Sequence, residues 1–215
     1  MRSLIPVAMT LALSVGLSGC QSAYYAAWEK VGVEKREILV DRVEDARDSQ
    51  QEAEEQFTSA LEEFSALLQF DGGELEEAYE ALSDKYEASK KAADDVTNRI
   101  DKIESVAEAL FDEWETELEQ YSNASLKRTS QQKLSETRLK YNKMVRAMRR
   151  VESSMQPVLS TLQDNVLFLK HNLNASAIGA LQGELGTIEK DVKSLLKDMQ
   201  TAISQSNAFI ADMAG

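Results

Sequence analysis

From residue 39 to residue 213 the apolar side chains of this chain recur in alternating steps of three and four, and that single period of 3.5 residues constrains the fold more than any other feature. The spacing keeps one stripe of an α-helix turned toward a neighbouring helix, so it rewards helices packed side by side and gives nothing to a strand. The first run is Leu39, Val43, Ala46, Gln50, Ala53, Phe57, Ala60, Phe64 and Leu67. A second passes through Leu82, Tyr86, Ser89, Ala93, Val96, Ile100, Ile103, Ala107, Leu110, Trp114 and Leu118. The third takes in Leu134, Thr137, Tyr141, Met144, Met148, Val151, Met155, Val158, Leu162, Val166 and Leu169; the fourth, Ile178, Leu181, Leu185, Ile188, Val192, Leu195, Met199, Ile203, Ser206, Ile210 and Met213.

Three interruptions divide the runs. Asp71-Gly72-Gly73 supplies residues that tolerate a turn, Ser122-Asn123-Ala124-Ser125 supplies side chains that cap free helix N–H groups, and Asn174-Ala175-Ser176 does the same again. The spacing therefore predicts an all-α chain, an elongated antiparallel bundle of three to four long coiled-coil helices over about 24–70, 74–121, 126–173 and 175–213. No composition break separates a second core, so residues 20–215 read as one unit. Pro157 lacks a backbone donor and its ring crowds the carbonyl four residues earlier, which predicts a kink or break in the third helix. Gly179, Gly183 and Gly186 either weaken the fourth helix or admit a close neighbour. A turn at 123–125 sets Ala107 level with Tyr141 and Ala93 with Met155, small residues facing large ones. Helices of about 45 residues reach ~70 Å at 1.5 Å per residue, a rod.

Composition narrows the function classes. The chain has one Cys and one His among 215 residues, which leaves no disulfide framework, no Cys/His zinc cluster, and only His171 around which to build a triad. The residue three before His171 is Phe168, so the Glu-x-x-His pair of di-metal helical bundles is missing, and no glycine-rich phosphate loop ending in Lys and Ser or Thr occurs. The sequence thus points to no enzyme, no cofactor and no metal. A net charge of −13, from 24 basic and 37 acidic residues, speaks against nucleic acid as a partner.

Charge is unevenly shared along the chain. Residues 34–121 hold 28 acidic and 9 basic side chains, whereas residues 122–173 hold 3 acidic and 10 basic. A basic third helix beside acidic neighbours sets helix order by attraction across the seams. Within it, Lys140, Lys143, Arg146, Arg149 and Arg150 form a candidate contact for anionic lipid headgroups or an acidic partner; compensation of the acidic helices inside the bundle is the other reading. Asp112, Glu113, Glu115, Glu117 and Glu119 lack the spacing and central glycine of a calcium loop and read as a solvated face. Met144, Met148, Met155 and Met199 fall on the apolar stripe and read as packing, while Gln50, Ser89, Thr137 and Ser206 on the seams read as register devices or small layers.

The N-terminus is an address. Residues 1–19 open with an Arg, continue as an apolar run of about fifteen residues and end in small residues, the pattern of an export signal, and they are too short for the ~20-residue span of a membrane helix. Leu17-Ser18-Gly19-Cys20 resembles the lipobox of bacterial lipoproteins. That resemblance implies cleavage before Cys20 and acylation of this lone cysteine; each buried CH₂ contributes ~0.8 kcal/mol, so two or three chains anchor for good. Gln21 and Ser22 follow where an Asp commonly signals retention in the inner membrane, so the resemblance implies the periplasmic face of the outer membrane rather than the inner membrane. Tyr24, Tyr25 and Trp28 suit a headgroup region, and they equally suit the opening of the first packed stripe.

The lipobox, the segment Tyr24-Tyr25-Ala26-Ala27-Trp28-Glu29-Lys30 and the long helical remainder together resemble an uncharacterised proteobacterial lipoprotein family known only as a domain of unknown function. The resemblance implies a place and a shape, and brings no catalytic residue. The expected function is a non-enzymatic envelope lipoprotein, a rigid periplasmic rod that serves as scaffold or protein-interaction module, touching another envelope protein or, non-covalently, the wall. Self-association is open to it. The alternative is a membrane-perturbing or membrane-remodelling bundle, against which Glu184, Glu189, Lys190, Asp191 and Lys193 of the fourth helix argue.

Overall fold

The computed structural model describes residues 34–69 and 75–214, and among these it contains helices and no strand. The helices are α1 (Lys35–Leu68), α2 (Leu75–Leu118), α3 (Ala124–His171), α4 (Ala175–Leu181) and α5 (Leu185–Ala214). Asn123 begins α3 as its sequence suggests, its side-chain oxygen accepting from Ser125 N at 2.9 Å and Leu126 N at 3.2 Å. Asn174 does the same for α4, accepting from Ser176 N at 3.1 Å and Ala177 N at 3.3 Å.

One expectation is corrected and two open alternatives are narrowed. The segment over 175–213 is two helices, with a turn at 182–184 between α4 and α5. Added Cβ atoms at Gly179 and Gly186 would meet nothing within 4 Å, so these glycines are not there to admit a neighbour. Their effect is on the backbone, where each costs a helix about 1 kcal/mol relative to Ala. Pro157, by contrast, lies inside α3 without dividing it. Its exposed ring sits on the outer side, while Met155, Val158, Leu159 and Leu162 are buried on either flank and hold the helix to its neighbours.

Four helices enclose the core. α1 packs against α2 and α5, α3 packs against the same two, and α4 touches α1 and α3 at one end. Cross-helix pairs show that every neighbour is antiparallel: Lys35 to Glu113 and Arg99 to Asp45 between α1 and α2, Arg149 to Asp101 between α2 and α3, Lys140 to Asp212 between α3 and α5, and Gln200 to Glu54 between α5 and α1. This is an up-down-up-down arrangement closed into a square. At 48 residues, α3 extends ~72 Å.

One apolar cluster runs through all five helices. Phe57, Phe64, Phe209, Ile100, Met148 and Leu162 are among its fully buried members. Met144, Met155 and Met199 lie in it too, as the stripe predicts. The ring of Tyr141 meets Phe111 edge-on, at 5.3 Å between centroids and 73° between planes, and lies 6.4 Å from Phe209. Those three rings tie α2, α3 and α5 together near the start of α1.

Candidate functional site

α3 carries the charged group that sequence analysis marks out, and the bundle sorts its five cations into two sets. Taking Met148 as the core direction, 100° per residue turns Arg149 toward the α2 seam and Lys140 toward the α5 seam; Lys143, Arg146 and Arg150 fall nearly opposite the core. The contacts follow that division. Arg149 donates from Nη2 to Asp101 Oδ1 at 2.6 Å and Glu104 Oε2 at 2.5 Å, and from Nη1 to Glu152 Oε2 at 2.9 Å. Its hydrogen bond to Glu104, with those to Asp101 and Glu152, raises its pKa far above the ordinary arginine value, burial opposing. Lys140 reaches Asp212 at 2.9 Å. Arg138 pairs with Glu115 and lies 5.0 Å over the Phe111 ring.

Lys143, Arg146 and Arg150 are exposed, and among the described residues no ion pair engages them. Compensation within the bundle thus accounts for Lys140 and Arg149 and leaves the other three facing outward. One residue escaped sequence analysis. Leu139 shares their side, one turn before Lys143, and at 69% it is the most exposed of the large apolar side chains among the described residues. Its signal was available: in a run whose core is Tyr141, Met144, Met148 and Val151, position 139 falls on the opposite side.

Tyr141 is half-buried beside this group. Burial first, and the nearby Glu104 charge second, push its phenol up to about 12, Arg149 opposing. The folded chain therefore holds the proton more tightly than the unfolded one. The contribution is intact below the ordinary value of 10.0 and is lost as pH rises from there toward 12. Melting at stepped alkaline pH should show stability falling across that window, and Tyr141→Phe should flatten the fall.

The other candidates take up structural places. Glu113, Glu115 and Glu119 pair with Lys35, Arg138 and Lys127. Among the described residues no group of three or more His, Cys, Asp or Glu is arranged to hold a metal ion. His171 is exposed as the last residue of α3. Ser89 donates to Gln56 O at 3.3 Å and Ser206 to Ala202 O at 2.9 Å, while the fully buried Gln50 amide has no partner at either atom among the described residues. Half-buried Thr137 lines a cleft of about 470 Å³ at the end where α1 begins, with Glu34, Trp114, Lys133 and Asp212. No described helix is long and apolar enough to cross a membrane. Cys20, Tyr24, Tyr25 and Trp28 lie outside the described residues.

Compared with known families, residues 24–213 match the one described as Protein of unknown function (DUF2959). No curated protein matches the chain.

Proposed function

We propose, for a chain that belongs to the DUF2959 family and so inherits no activity from its relatives, a non-enzymatic envelope lipoprotein held through acylated Cys20 at the periplasmic face of the outer membrane. Its helical rod serves as a scaffold and protein-interaction module. The observation that carries this reading is where the chemistry lies. The core is filled along the bundle by apolar side chains, and Lys143, Arg146 and Arg150 of α3, without an ion pair among the described residues, face outward. Such a molecule works through its surface and its position. The lipobox supports the anchor, and the first described residue, Glu34, is only 14 positions beyond Cys20.

Intact mass and fractionation test the reading together. Protein taken from the envelope is expected to carry diacylglycerol and a further acyl chain on a new N-terminal Cys20, and to sediment with outer membranes. Cys20→Ser is expected to move the chain out of the lipidated outer-membrane pool. A wild-type mass with bare Cys20, or wild-type protein in the soluble extract, overturns the anchor.

A further inference from the structure

We propose that the Leu139, Lys143, Arg146 and Arg150 side of α3 rests on an anionic bilayer surface, with Leu139 entering the headgroup region and the three cations on lipid phosphates. The proposal rests on the anchored reading above. Steps of four, three and four place these residues on one line, ~16 Å long, directly away from the core. Between residues 137 and 151 α3 contains no Asp or Glu, so nothing on that stretch of the helix repels a phosphate. On the flanking helices Asp101 and Glu104 are engaged by Arg149, and Asp212 by Lys140; α2's exposed Glu108 and Asp112, one and two turns on from Glu104 along the same side of α2, flank the ridge, so the cations that meet phosphate are those on its outermost line.

Three features favour a lipid surface over an acidic protein. The line is the convex outer ridge of one helix, which suits a deformable plane better than a groove. At its N-terminal end the most exposed large apolar side chain among the described residues stands one turn from cations with long apolar stems, the composition of an interfacial helix side. The third is position. Lys140 and Glu34 line the same cleft, so Leu139 stands at the end of the bundle where α1 begins. Fourteen residues span at most ~50 Å, which keeps the ridge within reach of the bilayer. On this geometry the rod lies along the leaflet at its tethered end, and the acidic α1, diagonally opposite α3, is turned away from the lipid.

The test uses lipoprotein purified from envelopes and reconstituted into phosphatidylethanolamine vesicles with or without phosphatidylglycerol. An environment-sensitive dye is placed at Leu139→Cys or, on the outer side of α1, at Asp48→Cys. In anionic vesicles the dye at 139 is expected to be several-fold less accessible to an aqueous quencher than the dye at 48. The contrast is expected to vanish in zwitterionic vesicles, at high salt, and in the exposed-site variant Lys143→Gln/Arg146→Gln/Arg150→Gln. Equal quenching at both positions overturns the proposal. So does shielding at 139 that ignores lipid charge, the mark of a second copy, or that arises only when acidic envelope proteins are added back. Intact mass reads acylation separately. If Cys20 is bare, the anchor reading fails and the ridge is judged by flotation alone: anionic vesicles must then bind the wild-type chain on the order of 100-fold more tightly than the triple variant, at ~1 kcal/mol per cation.

Discussion

Phe57→Ala is expected to lower the stability of the bundle by about 3–5 kcal/mol, the cost of deleting a buried aromatic ring and leaving a hole that rigid neighbours fill only in part. Phe57 has no exposed surface. It stands on α1, which lies between α2 and α5, at a level where Ser89 of α2 bonds the carbonyl of Gln56 and Gln200 of α5 bonds Glu54. Truncation there removes packing from both seams at once. For a chain of this size each kcal/mol moves the melting temperature by roughly 2–4 °C, so a fall on the order of 10 °C is expected by circular dichroism. A shift near zero would mean that α1 is not seated between those helices.

Gln50→Leu should act in the opposite direction, raising stability by about 1–3 kcal/mol. Gln50 is fully buried on the α1 seam, and among the described residues neither its amide nitrogen nor its amide oxygen has a hydrogen-bond partner. Leucine of similar size fills the same space without leaving polar atoms orphaned. A single polar seam residue can fix register at a cost in stability, so the same variant is expected to loosen specificity. Size-exclusion chromatography beside the melt reads both effects. A lower melting temperature would show that the amide is satisfied in solution, by water or by a shifted neighbour.

The seams of this fold were open to reading because a period of 3.5 is a statement about one side of a helix, and it holds within each of the four runs between Leu39 and Met213. What it does not contain is the balance between a local break and the packing around it. Pro157 is a strong breaker in isolation, yet it lies on the solvent side between buried Met155 and Val158, and tertiary packing outweighs it. The three glycines at 179, 183 and 186 are weaker breakers one by one, but they fall together near the short run after Asn174 and divide it. Direction around the helix separates the basic cluster as well. Arg149 and Arg150 are adjacent in sequence, but 100° apart they belong to different surfaces, one bonded to three carboxylates and the other exposed. The Tyr141–Phe111 contact escaped because long aromatic side chains lean along the helix and meet residues a turn away from their own level.

The square order of the helices also decides where the first described helix begins and the last one ends. Arg36 of α1 donates to the carbonyl of Met213 of α5, so the first and last described helices leave the bundle from the same end. A proximity-labelling enzyme fused after Gly215 would therefore sample neighbours close to the entry of α1. The same enzyme inserted at the 182–184 turn would sample a different neighbourhood, separated from the first by most of the length of α5, ~45 Å for its 30 residues. Two fusions of one chain thus give a ruler across the compartment in which it works.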